Sequence, residues 1–151
     1  MAIEYEKDVA AWAKEQAFWL RSGQLSLADA LHIAEEIEGV SSSVEYQLAE
    51  RCSTLLAHLC RWQKQEGNRC ELWRRLIDLQ RQRINRMVKR MPSLHDTCAD
   101  PEFSRDVWLD ALIKVIGENA CDDLPETSPW TLAQTLEPDF YPQNTSSTPL
   151  E

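Results

Sequence analysis

Glycine is scarce in this chain, at positions 23, 39, 67 and 117 only. That excludes a Gly-rich loop of the kind that cradles phosphates, which needs several glycines within one turn. No G-x-S-x-G element occurs, so the nucleophile elbow of an α/β-hydrolase is excluded too. No Glu-x-x-His pair is present, although metal-binding bundles rely on that spacing. A catalytic zinc takes three protein ligands, and the only histidines are His32, His58 and His95. The expectation is no metal and no cofactor. Five cysteines, an odd number, include no C-x-x-C pair, which points to reduced thiols and not to a disulfide framework. No uncharged apolar run approaches the ~20 residues that span a bilayer. The opening MAIEYEKDVAAW lacks the basic start and apolar run of a signal peptide. These absences together predict a cytoplasmic protein with no membrane partner.

What is abundant is helix-forming sequence. Leu, Ala, Glu, Arg and Gln dominate and β-branched residues are sparse, so the fold class is all-α. The length suits one domain with a real core. The densest apolar stretch is Leu48 to Gln63. At 100° per residue, Leu48, Cys52, Leu55, Leu59 and Trp62 fall in one narrow stripe, bordered by Leu56 and Gln63 on one side and His58 on the other. This is a helix pressed into a core, with the others packed round it.

The remaining pattern predicts a bundle of five to six helices over 1–142. The first runs from Asp8, a potential cap, to Arg21, and ends at Ser22-Gly23. Ser26 opens a second, with Leu27, Ala30, Leu31, Ala34 and Ile37 inward and Asp29 completing a capping box. Gly39 and Ser41–Ser43 interrupt it by a break or a kink before the Leu48 helix, which fades at Gln65. A fourth helix spans Glu71 to Arg90, with Trp73, Ile77, Gln80, Ile84, Met87, Val88 and Met91 inward, and Pro92 stops it. Pro92 to Asp100 reads as a connector. Pro101 starts a fifth helix to about Asn119, apolar enough to be buried on more than one side. Ser128-Pro129 starts a last one through Leu136, and 143–151 reads as a mobile polar tail.

Charge is unevenly spread. Residues 1–68 carry six basic and eleven acidic side chains, a net of −5. Residues 69–90 carry eight basic and two acidic, a net of +6, and residues 91–151 carry two basic and twelve acidic, a net of −10. The overall −9 disfavours nucleic acid as a partner. Yet Arg75, Arg83, Arg86, Lys89 and Arg90 share the outer side of the fourth helix, a candidate interaction face. Either acidic groups of the fifth helix or tail lie near it, or an acidic protein surface docks there.

Several segments resemble a known family when taken in order. They are Trp12, Leu31 to Glu38 as LHIAEEIE, Leu55 to Gln63 as LLAHLCRWQ, Trp73, and Gln80-Arg81. Met91-Pro92-Ser93-Leu94, Pro129-Trp130-Thr131-Leu132 and Asp139-Phe140-Tyr141-Pro142 follow. Nearly the whole chain is similar to a bacterial family catalogued as domain of unknown function number twenty-nine. The resemblance implies a single all-helical domain and no assigned activity. The Ser41–Ser43 run departs from it, since family members tend to carry charged residues there.

Two groupings remain as candidate sites. Glu35, Glu36 and Glu38 on the second helix, with His58, Gln63, Gln80 and Arg81, form a candidate polar cluster for a ligand or for chemistry; the bland alternative is a closed hydrogen-bonded network. Cys60 lies two residues from His58, and such neighbours point apart on a helix. Trp12, Trp62 and Trp73, among six tryptophans, could line an aromatic pocket beside Gln63, Gln80 and Arg81 or could simply be core anchors. Gln80 is expected to be buried and hydrogen-bonded to a carboxylate or histidine of the second or third helix. The leading functional expectation is a non-enzymatic domain that works through an unidentified protein partner. The alternative is an enzyme or small-ligand-binding protein built on the polar cluster.

Overall fold

A computed structural model describes residues 2–118 and 123–143. They are 73% helical with no strand, so the fold is all-α. The helices are α1 (Val9–Arg21), α2 (Ala30–Lys64), α3 (Glu71–Arg90), α4 (Leu94–Ala99), α5 (Pro101–Gly117) and α6 (Leu132–Thr135). The residues group into two compact units, Met1–Val44 and Glu45–Glu151.

In the first unit, Asp8 caps α1 by accepting from the Ala11 N–H at 3.0 Å. Gly23 ends the helix with φ +76°, a conformation that a side chain would resist. A 3-10 turn at Leu25–Leu27 follows. Ser26 lies inside that turn and does not cap the next helix. Asp29 does so instead, accepting from the His32 N–H at 3.4 Å. The second and third expected helices are one continuous α2. Ser42 turns its hydroxyl back onto the Glu38 carbonyl at 3.3 Å, so it offers the backbone no competing partner. Gly39 costs only about 1 kcal/mol relative to Ala in a helix, too little to break one. Leu27, Leu31 and Ile37, expected inward, are exposed.

The second unit holds the large core. Leu48, Cys52, Leu55, Leu56 and Leu59 of α2 are buried, as the stripe implies, and so are Ile77, Ile84 and Val88 of α3 and Val107, Trp108, Ala111 and Val115 of α5. On α3 the buried phase is Ile77, Arg81, Ile84, Val88, so Arg81 takes the inward position expected of Gln80. The connector after Pro92 forms a short α4. Residues Leu109, Ile113 and Ile116 of α5 are exposed and Val107, Trp108, Ala111 and Val115 are buried, so the helix buries one face and not more than one side. Helix α6 starts later than expected, with Thr131 as its cap accepting from the Gln134 N–H at 3.1 Å. Ser128 instead closes a tight turn, donating to the Trp130 carbonyl at 2.7 Å. Asn119, Cys121 and all of the expected tail beyond Gln143 lie outside the described residues.

No helix among the described residues is long and apolar enough to cross a membrane. Burial pushes the Cys52 thiol up to about 12 and raises that of Cys98, which leaves both as poor nucleophiles.

Candidate functional site

The residues of the expected polar cluster fall into separate places. Glu35, Glu36 and Glu38 belong to the first unit. His58, Gln63, Gln80 and Arg81 belong to the second, where Gln63 and Arg81 both hold the segment that ends at Gln143 and His58 and Gln80 have other surroundings. His58 receives the Arg61 guanidinium at 3.2 Å on Nδ1, and burial followed by that cation lowers its pKa. The Gln63 amide donates to the Gln143 carbonyl at 3.0 Å. Gln80 is half-buried and its Oε1, shut off from solvent, has no hydrogen-bond donor. The expected partner is absent because the helix phase carries Arg81, not Gln80, into the core.

Arg81 is 3% exposed. It donates to the carbonyls of Thr135 at 2.9 Å, Pro138 at 3.2 Å and Phe140. Its guanidinium also lies 5.0 Å from the Tyr141 ring, across from that of Arg74 at the same distance. The Tyr141 hydroxyl donates to Asp78 at 2.7 Å. The Tyr141 ring packs 5.0 Å from Trp62, which carries Arg69 on its other neighbour side at 5.1 Å. The orphan carbonyls that follow a helix end are thus met by one planar fork. This is a latch for the segment after α6, closed and nearly full, and a poor place for a ligand.

The three tryptophans of the expected aromatic pocket belong to different units. Trp12 is in the first unit, while Trp62 and Trp73 are half-buried in the second. A cavity of about 920 Å³ lies instead between α5 and the 126–133 segment, with Trp108, Trp130, Leu109, Leu112 and Leu132 among its walls and Arg105 and Glu126 among its polar groups. Trp108 and Trp130 meet edge to face at 6.0 Å. The sequence signal for it was the second apolar side of the fifth helix, which was read as core.

The first unit contains an arrangement that sequence reasoning missed. Asp29 Oδ2 accepts from the Trp12 indole at 3.2 Å and pairs with His32 Nδ1 at 2.6 Å. Gln16 accepts from the Asp29 N–H at 2.7 Å. The Tyr5 ring stacks on His32 at 4.3 Å, and its hydroxyl donates to Glu36. The bond to Asp29 raises the His32 pKa and lowers that of Asp29. An Asp–His pair can orient a general base, but no hydroxyl group hydrogen-bonds to His32 among the described residues. The signal was the Asp29–His32 spacing of three at a helix start, there assigned only to capping.

The basic face keeps its side chains together. Arg75, Arg83, Arg86, Lys89 and Arg90 are all exposed on α3. None is in an ion pair among the described residues; the acidic groups that are paired serve Lys7, His32, Arg61, Lys64, Arg81 and Lys114. For the first of the two expected arrangements, acidic groups of the fifth helix or tail near this face, the described residues show no ion pair from α5 to it, and the tail beyond Gln143 lies outside them. Arg83, Arg86 and Arg90 also line a cleft of about 340 Å³ with Gln47 and Arg51 of α2 and the thioethers Met87 and Met91. Arg51 is a contributor that the sequence reading overlooked. Among the described residues no group of three His, Cys, Asp or Glu side chains is placed to hold a metal ion.

No curated protein and no solved structure matches this chain. A family model does, over residues 4–141, and its description is Domain of unknown function DUF29. With the match spanning α1 through the Tyr141 that anchors the Arg81 latch, the chain belongs to that family.

Proposed function

We propose that this chain is a non-enzymatic protein-interaction domain of the bacterial cytoplasm, and that it receives an acidic partner on the outer face of α3. The observation that carries this reading is the row of five exposed cations with no ion pair among the described residues, in a chain whose net charge is −9. Exposed like charges side by side repel, and a docked acidic surface relieves that repulsion. The same negative total works against nucleic acid, whose phosphates the remaining surface repels. Chemistry has no comparable support, since the groups first grouped as a polar cluster are scattered.

The test is titration with poly-glutamate and with duplex and single-stranded nucleic acid, at low salt and again near 0.1 M, where exposed charges are screened beyond about 10 Å. Binding to poly-glutamate that salt weakens, and that Arg75→Glu with Lys89→Glu abolishes, supports the reading. Preference for nucleic acid overturns it.

A second reading, a small-ligand-binding protein, is favoured by the cavity beside Trp108 and Trp130. Its volume of about 920 Å³ lies in the range of ligand sites, roughly 300–1,000 Å³. An apolar dye that quenches tryptophan fluorescence, with the quenching lost in Ala133→Trp, is the expected outcome. Quenching that survives this filling of the cavity counts against the second reading.

A further inference from the structure

We infer that the cleft between α2 and α3 receives a phosphate monoester on a serine or threonine side chain of the partner, an inference that rests on the docking reading above. Four arginines line it: Arg51 from α2, and Arg83, Arg86 and Arg90 from α3. The three on α3 are spaced three and four apart, so they share one face. No acidic residue lines this cleft, and none of the four is in an ion pair among the described residues. Guanidinium forks match phosphate oxygens in paired hydrogen bonds. A carboxylate brings one charge and two oxygens. A phosphate monoester brings about −1.5 to −2 and three strong acceptors at neutral pH, so it answers four arginines better.

A second observation indicates what carries the phosphate. A smaller compartment of about 230 Å³ adjoins the cleft, sharing Gln47 and Arg51 and adding Tyr46, Glu50, Thr54 and Gln80. Gln80 lines this compartment, and its Oε1 is buried without a donor. An unmet buried acceptor calls for an N–H or O–H. Gln80 precedes Arg83 by three residues and Arg86 by six on α3, or about 4.5 and 9 Å along the axis at 1.5 Å per residue. An extended peptide advances ~3.3 Å per residue, so its backbone N–H passes Gln80 one to three residues from the phosphorylated one, and the amide, whose oxygen is closed to solvent in the free chain, turns toward the compartment to accept it. Glu50 lines the smaller compartment with one carboxylate oxygen already 2.7 Å from Lys114. That compartment holds one arginine against the four of the cleft, so the cleft is the place for a single phosphate, whereas in a nucleic-acid strand phosphates recur at every nucleotide.

The experiment follows the Arg Nε–Hε and Gln side-chain NMR signals of the full chain during titration. The probes are a short alanine-flanked phosphoserine peptide, its serine and glutamate counterparts, inorganic phosphate, and a single-stranded oligonucleotide. The expected result is movement of the Arg51, Arg83, Arg86 and Arg90 signals, with the phosphoserine peptide bound about tenfold or more tighter than the glutamate one. Arg51→Lys with Arg86→Lys keeps the charge and the fold but removes two forks, and should cost about tenfold in phosphopeptide affinity. Gln80→Leu should weaken the peptide while leaving inorganic phosphate unchanged. Equal binding of the phosphoserine and glutamate peptides overturns the phosphate inference and leaves acidic docking standing. Tighter binding of the oligonucleotide overturns both. A failure of every anionic probe, poly-glutamate included, also overturns both.

Discussion

Two arginine environments on the single helix α3 have opposite characters. Arg81 faces inward, 3% exposed, with three backbone carbonyls and an aromatic ring around it. Arg83, Arg86 and Arg90 face outward and have no ion pair among the described residues. The side chains are chemically identical and lie within ten residues. What differs is whether the chain returns to them. The end of α6 and the segment after it come back to Arg81 and take a hydrogen bond from each of its three nitrogens, so that arginine holds structure. The outer arginines keep their donors, so they are the ones available for recognition. Charge on a helix thus carries no functional meaning until its partners are counted.

The largest expected effect comes from removing the inner arginine. Arg81→Ala leaves the carbonyls of Thr135, Pro138 and Phe140 without their donors and should cost about 3–5 kcal/mol, read as a lower urea midpoint. Arg86→Ala on the outer side should change stability by less than about 0.5 kcal/mol. Equal losses at the two sites would erase the distinction between them.

A smaller effect tests the ring beside Arg81. Tyr141→Phe keeps the aromatic face and removes only the bond to Asp78, so it should cost about 1 kcal/mol. Thermal melts of Tyr141→Phe and Tyr141→Ala separate the hydroxyl from the ring; the alanine should be clearly worse. A neutral alanine would mean that the latch holds through Arg81 alone.

Gln80, between the two environments, sharpens the comparison. Its buried oxygen has no donor, so Gln80→Leu should leave stability unchanged or raise it by up to about 1 kcal/mol. A large loss would mean that Gln80 does find a partner in solution and that the smaller compartment is already filled.

The smallest effects are in the histidines, which repeat the contrast with opposite signs. His58 has a folded pKa below its unfolded value, because burial and Arg61 disfavour its charge. It should cost nothing well above the unfolded value of about 6.5 and reduce stability as pH falls below it. His32 has its pKa raised by Asp29. Its contribution should be full below about 6.5 and fade as pH rises through the raised folded value. Melting across that range with His58→Gln and His32→Gln should flatten opposite limbs of the profile. Flattening of the same limb by both would contradict the geometry.

Much of the fold was legible before any coordinates. The stripe Leu48, Cys52, Leu55, Leu59 is core because side chains four and three apart share a helix face whatever the helix packs against. Asp8 and Pro101 sit at helix starts for reasons internal to one turn. The candidate site was legible in part. The outer row of cations follows from helix spacing. Arg51 joins it only because α2 and α3 pack side by side, and no local pattern states that. The polar cluster misled because it grouped residues by type and helix number, and neither says which unit or which side they occupy.

The sequence by itself determined the all-α class, the apolar stripe Leu48, Cys52, Leu55 and Leu59 of α2 and the basic face of α3, since these depend on periodicity and composition within short stretches. Tertiary structure decided which of Gln80 and Arg81 is buried, since the carbonyls that make burial of a charged side chain tolerable come from residues 54 to 59 positions away. It also decided that the outer cations have no ion pair among the described residues: an ion pair is a distance between side chains, and composition counts the acidic groups without placing them.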